Sequence, residues 1–412
     1  MYFRHLARYS TPLSAQPAHL TLILFQNTPF SAVVCGVQGS GKSHSVGVLI
    51  ENALVKDPRL GAVEKPLSAL VLHFGEGGGN SKPCEAAYQA LASRKSHVSG
   101  GGVTISPPPV VVYCSPSSLG TIKRVYAPLG KDVTILPLKF DERELDAESF
   151  LAMMAVDGSS ESAPLYVKII LSILRQLGED NYTYRAFLQE LQKAKVNFNP
   201  AQLAGLEQRL ALLESFLKKG PRGSIESRFK AGQLTIVDLT DSFLDPASAC
   251  GLFEIVSRKF VSANVGTGKI LVVDEAHKYL SRGESRLTRA LLSYIRQQRH
   301  LAMRVIISTQ EPTVVPPSLL DLSTITILHR FSSRAWWQHL ANHVPAELTE
   351  EGFDQVVKLK TGEALVFAPT ALAMVDGVDG KKTMDQLGRR YLAVKSRSRV
   401  TADGGSSVLV VS

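Results

Sequence analysis

The 412-residue chain is 44% hydrophobic and 20% charged and carries a net charge of +9. That composition supports a packed core and excludes wholesale disorder, and the length allows one large α/β domain with an insertion, or two ordinary domains. No apolar run reaches the ~18–20 residues that span a bilayer, so no membrane span is expected.

Residues 1–29 form an N-terminal extension. Arg4 and Arg8 precede the first acid, Glu51, a faint likeness to a transit peptide, although a loose basic terminus is the simpler reading. Next comes "AVVCGVQGSGKSHSVGVLIENAL", in which an apolar strand meets an apolar helix through Gly36-x-x-x-x-Gly41-Lys42-Ser43. This is the phosphate-loop pattern in its strand–loop–helix setting. Gly36, Gly39 and Gly41 allow backbone angles that turn N–H groups inward around phosphates, with Gln38 and Ser40 completing the loop. The following helix points its positive end at the same anion. Lys42 is expected to reach the β- and γ-phosphates and Ser43 to hold Mg2+, with His44 beside them. The expected ligand is Mg-ATP.

Seven more short β-branched runs follow: "ALVLHF", "VVVYC", "VTILPL", "LTIVDL", "ILVVDE", "VIIST" and "ITILH". They are continuous rather than alternating, as strands buried on both faces should be. Helical segments separate many of them, which implies a mainly parallel sheet covered by helices. The glycine stretches 75–79 and 100–102 read as loops. Residues 141–224 read as a helical insertion, with apolar stripes in "LYVKIILSILRQLG", "YRAFLQELQKAK" and "LAGLEQRLALLESFLKK". Those stripes suit a small core first and a partner-protein surface second. The expected core therefore has two parts, 30–140 and 225–380.

"KILVVDEAHKYL" ends an apolar strand in two acids. Asp274 suits a magnesium-holding role and Glu275 a general base for water. His277 sits on the exit loop, where a coupling contact is one option. "RVIISTQEP" ends a second buried strand in Gln310, a candidate sensor of the γ-phosphate, because neighbouring parallel strands converge at their carboxyl ends. His339 and His343 share a helix face but lack the glutamate of a zinc protease motif, and they read as surface or core. Trp336 and Trp337 read as core packing. Residues 381–412 form a basic tail whose cations are either solvated or in contact with nucleic acid. Cys35, Cys84, Cys114 and Cys250 are far apart, with no C-x-x-C pair. A zinc knuckle is not expected, and the pattern suits a reducing intracellular compartment, cytoplasmic or nuclear.

The letters Asp-Glu-Ala-His name a group of helicases, but the later motifs of a second motor domain are missing. Instead "GVQGSGKS", "GQLTIVDLTD", "ILVVDEAHKYL" and "RQQRHLAMRVIISTQEP", with "LKTGEALVF" later, resemble the HerA–FtsK superfamily of RecA-like ATPases. The resemblance implies a RecA-like P-loop fold and a homo-oligomeric ring, a hexamer, pumping double-stranded DNA. It also implies an arginine reaching the neighbouring subunit's site. Arg299, eleven residues before Gln310, is the first candidate and Arg330 the second. The short stretch before the phosphate loop implies that the HerA barrel is absent. The alternatives are a nucleotide-switch or protein-remodelling ATPase without a nucleic-acid substrate, and an inactive scaffold.

Overall fold

The structure is a computed structural model. It describes residues 2–5, 21–23, 28–57, 60, 63–75, 77, 81–93, 105–153, 165–178, 182–218, 227–280, 285–344, 349–376 and 382–404. The glycine stretch 100–102, Gly78 and Gly79, Arg8 and the last residues of the basic tail lie outside them. No helix among the described residues is long and apolar enough to cross a membrane.

Two short strands, β1 (Tyr2–His5) and β2 (Thr21–Ile23), come first. The eight apolar runs then become β3 (Ser31–Cys35), β4 (Ser68–His73), β5 (Val110–Cys114), β6 (Val133–Pro137), β7 (Leu234–Asp238), β8 (Lys269–Val273), β9 (Met303–Thr309) and β10 (Ile325–Leu328). All eight run parallel, in the order β10-β3-β9-β8-β4-β7-β5-β6. Beyond β10 the sheet turns antiparallel through β11 (Glu363–Phe367). A separate hairpin, β12 (Leu372–Asp376) and β13 (Lys382–Gln386), follows. The chain then returns as β14 (Tyr391–Ser396), which pairs with β11 and then with β1.

β3, β4, β7, β8, β9 and β10 are buried on both faces, which is why their sequences are runs rather than alternations, whereas β5 alternates in burial and the edge strand β6 is partly exposed. Val34, Val71, Ile236, Val272 and Ile306 face a core with α1 (Lys42–Leu54) and α2 (Leu119–Tyr126). Val33, Leu72, Val237, Val273 and Ile307 face the other core. That second core takes in the insertion, whose helices are α3 (Ala147–Met153), α4 (Leu165–Leu177), α5 (Tyr184–Ala194) and α6 (Pro200–Ser215). Ile170, Phe187, Leu206 and Leu213 are wholly buried there, and the Phe150 and Phe187 rings lie 4.2 Å apart. The apolar stripes therefore serve the core. A short bridge closes the base of the insertion, where Phe140 N–H donates to the Phe216 carbonyl at 2.7 Å and Lys218 N–H to Phe140 at 2.9 Å. The remaining helices are α7 (Pro246–Ser262), α8 (Arg286–Arg296), α9 (Pro317–Asp321), α10 (Arg334–His343) and α11 (Glu350–Lys358). Trp337 on α10 is buried beside Phe331 and Phe353, as core packing requires. All four cysteines are buried and unpaired with one another.

The basic tail needs correction. Its charge suggested a segment either solvated or in contact with nucleic acid, yet β14 lies inside the sheet and residues 396–404 form a strap over α1. Arg397 pairs with the buried Glu51 and donates to Asn52 Oδ1 at 2.6 Å. The Arg399 side chain is 1% exposed and bonds Glu85 Oε1 at 3.0 Å. Thr401 N–H donates to Glu51 Oε1 at 2.7 Å. These cations are neutralised inside the fold.

Two outcomes follow from that strap. Arg397→Ala leaves Glu51 buried without its cation and is expected to lower unfolding free energy by about 3 kcal/mol in urea denaturation. Burial raises the Glu85 carboxyl to about 7, with Arg399 only partly offsetting it. The folded state therefore keeps a proton that the unfolded chain gives up near its ordinary value of 4.5. This contribution favours folding in acid and is lost as pH rises through about 7, so Glu85→Gln should flatten the stability profile between those pH values.

Candidate functional site

Parallel pairing brings the strand ends to one edge. Cys35, the last residue of β3, sits opposite Thr309 of β9 and Leu328 of β10. Val273, the last residue of β8, sits opposite Ile307 of β9 and Leu72 of β4. The phosphate loop, Asp274, Glu275, Gln310 and Arg330 therefore all leave the sheet at the same edge.

Gly36, Gly39 and Gly41 have φ of 151°, 73° and 106°. A Cβ on Gly41 would come within 2.7 Å of the Gly362 nitrogen, so only glycine fits that turn. Ser40 Oγ donates to the Val37 carbonyl at 2.7 Å and closes the loop. The loop is braced from outside as well. Gly362 N–H donates to the Ser40 carbonyl at 3.0 Å, Thr361 Oγ1 to Gly39 at 3.3 Å, and Val37 N–H to Arg330 at 3.0 Å. Gln38 is exposed at the crown. Sequence reasoning assigned no role to Thr361 and Gly362, although both lie in the "LKTGEALVF" match. His329 was also missed. It is buried against Gly36, with its pKa driven by burial down to about 4.

Lys42 is buried and its Nζ donates to the Val37 carbonyl at 3.3 Å. Burial lowers its pKa, while the Glu275 and Asp274 carboxylates oppose that shift. Ser43 and Asp274 both border one small, mostly apolar cavity beneath α1, beside Val46, Ile50, Val71 and Val272. A hydroxyl and a carboxylate beside a glycine cradle are the hard oxygen donors that magnesium takes, so these residues fit Mg-ATP. His44 is placed differently from the loop residues. Its ring nitrogens are engaged by Asp403 Oδ2 at 2.6 Å and the Arg397 carbonyl at 2.8 Å, so its imidazole ties the loop helix to the strap.

Glu275 adopts the left-handed conformation, with φ 49° and ψ 40°, a strain of order 1–3 kcal/mol kept where geometry matters. Its Oε2 accepts from Gln310 Nε2 at 2.7 Å. The Gln310 backbone N–H donates to His277 Nδ1 at 3.3 Å. Since Nδ1 accepts, the proton lies on Nε2, which is 3.5 Å from the same Glu275 oxygen. Burial keeps His277 below the usual histidine range, despite the opposing charge of Glu275. His277, left open by the sequence, thus closes a three-residue ring around the candidate base. For Asp274 burial acts upward, but the His73 hydrogen bond and charge outweigh it and hold the carboxyl below its ordinary value.

The two arginines part company. Arg330 is exposed beside its own phosphate loop. Arg299 is exposed in the turn before β9, at the opposite edge of the sheet. Seven strand residues separate it from Gln310's edge, roughly 23 Å at ~3.3 Å per residue.

No family model matches the chain, and no curated protein matches it either. Solved structures do. VirB4 of Thermoanaerobacter pseudethanolicus superposes with a TM-score of 0.50 at 13% identity, over 92% of this chain and 94% of that one. The likeness is one of fold, a mainly parallel sheet flanked by helices. Two further similar structures are the bacterial conjugative coupling protein TrwBdeltaN70 and the genome packaging NTPase B204 from Sulfolobus turreted icosahedral virus 2 in complex with ATP-gammaS. TrwBdeltaN70 has a TM-score of 0.46 and 11% identity, over 92% and 89% of the two chains. B204 has a TM-score of 0.32 and 9% identity, over 87% and 97%.

His277→Ala removes a partner of Glu275 and Gln310 without touching the phosphate loop. Phosphate-release assays should find ATP turnover lower by about tenfold, with the KM for ATP little changed.

Proposed function

We propose that this protein is a magnesium-dependent ATPase whose hydrolysis drives a ring along double-stranded DNA. The observation that carries the ATPase reading is the Gln310–Glu275 contact at 2.7 Å beside the Gly36–Ser43 loop. It joins a candidate base to a candidate γ-phosphate sensor, and a protein that only bound nucleotide would have no use for the pair.

The residues take the following parts. Lys42 exchanges the Val37 carbonyl for phosphate oxygens, which its buried charge favours strongly over a neutral acceptor. Ser43 and Asp274 would hold magnesium, which when bound would neutralise the β- and γ-phosphate charge. Glu275 takes the proton of the attacking water. To do so its Oε2 must part from Gln310, whose amide then turns to the γ-phosphate. Hydrolysis removes that partner and returns Gln310 to Glu275, so the contact reports the state of the nucleotide to β9.

The ring rests on a distance argument and on the motif resemblance. Arg299 is too far to serve its own loop, so any phosphate it meets belongs to another subunit, which suits a fork-shaped permanent cation. Arg330 serves its own loop or an adjoining one. DNA as substrate is supported by the resemblance and by the charge of +9. Arg397 and Arg399 do not add to that surface, because they are paired inside the fold.

The test is phosphate release with and without duplex DNA across a salt series. The expected result is stimulation by DNA that fades steeply with salt, and Glu275→Gln that binds ATP but turns over at least about a hundredfold more slowly. ATPase activity indifferent to every nucleic acid would move the reading to a protein-remodelling or switch ATPase. Unchanged turnover in Glu275→Gln would contradict the hydrolytic assignment itself.

A further inference from the structure

The carboxylate assigned to magnesium has a half-buried histidine neighbour that neither the phosphate loop nor the hydrolytic pair explains. His73 is the last residue of β4, between β8 and β7. Its Nδ1 lies 3.1 Å from Asp274 Oδ2. On its other flank the register sets it opposite Asp238. Asp238 Oδ2 accepts from Tyr126 Oη at 2.6 Å, and that oxygen in turn accepts from Cys84 N–H at 3.0 Å. One His73 ring nitrogen, the Cys84 sulfur and an Asp274 carboxylate oxygen lie within 4.8 Å of one another. The imidazole is therefore walled in by Asp274, Asp238 and Cys84, all set by backbone or buried hydrogen bonds. A ring so confined has little freedom to turn, and its Nδ1 stays aimed at one carboxylate oxygen.

We propose that His73 is a positioning residue for Asp274, setting the affinity of the nucleotide site for its divalent cation. The Nδ1–H claims Oδ2 and so fixes how the carboxylate plane is turned and leaves Oδ1 to face a cation. Outer-shell partners of this kind orient a ligating carboxylate, and their loss weakens metal affinity about 10–100-fold. The reverse geometry is excluded by the sheet. Asp274 N–H is bonded to the Leu72 carbonyl at 2.9 Å, so the backbone of Asp274 cannot swing to follow a freed side chain. The proposal rests on Asp274 being the magnesium-holding carboxylate.

The experiment is equilibrium binding of a fluorescent ATP analogue to the full chain, titrated with Mg2+, for wild type, His73→Ala, His73→Asn and Asp274→Asn. Asparagine puts an amide N–H where Nδ1 stood, and alanine removes it. His73→Ala should raise the half-saturating Mg2+ by at least about tenfold and leave magnesium-free binding unchanged, while His73→Asn stays within about threefold of wild type. An unchanged Mg2+ requirement in His73→Ala, or equal shifts in the alanine and asparagine variants, would overturn the proposal. Asp274→Asn separates the two levels. If it abolishes the Mg2+ dependence while His73→Ala does nothing, His73 alone loses its role. If the dependence survives in Asp274→Asn, the assignment of Asp274 falls and the proposal falls with it.

Discussion

Parallel pairing of β3, β9 and β8 is the constraint on which the site depends. In a parallel ladder every strand delivers its carboxyl end to the same edge, and the register decides which residues arrive level. Here Cys35 is level with Thr309, and Val273 with Ile307. One residue further along each strand lie Gly36, Gln310 and Asp274. A slip of one position would swap Val34, Val272 and Ile306 from one core to the other and put Gly36, Asp274 and Gln310 out of level with one another. The hydrophobic runs that hold the sheet together therefore also set the level at which these residues leave it.

Around this edge the later chain acts as a brace. Gly362 and Thr361 bond the phosphate loop itself. His44, Ser45 and Glu51 of α1 are held by Asp403, Ser396 and Thr401 of the strap. The helix whose amino end faces the phosphates is thus tied to the last described segment of the protein. Removing one partner of such a buried ion pair leaves the other charge uncompensated, so the strap and α1 depend on each other.

Legibility in the sequence followed burial. The central parallel strands were readable because burial on two faces leaves an uninterrupted apolar run, and β5 and β6 because their runs are apolar even where burial alternates. The strand–loop–helix placement of Gly36–Ser43 and the strand-end placement of Asp274 and Glu275 were readable because each pattern lies along a single segment. β14 was not, because "YLAVKS" lies in a basic stretch, and charge outweighs a short apolar pattern when no partner is known. Arg397 and Arg399 look identical to solvated cations until Glu51 and Glu85 are placed beside them. His73 and His277 carry no local signal either. Each acts on a residue of another strand or turn, and only the register brings them together. Arg299 and Arg330, the first and second candidates from the resemblance, separate once the two edges of the sheet are known.

The central claim is that the carboxyl edge of this sheet is an ATP-hydrolysing centre in which Gln310 passes between Glu275 and the γ-phosphate. A high-resolution structure of the wild-type protein with magnesium and a non-hydrolysable ATP analogue tests it most directly. The account predicts the triphosphate within the Gly36–Ser43 loop, Lys42 Nζ moved from the Val37 carbonyl onto phosphate oxygens, and the Gln310 amide turned from Glu275 to the γ-phosphate. Nucleotide bound elsewhere, or Gln310 still bonded to Glu275 with the γ-phosphate in place, would contradict it.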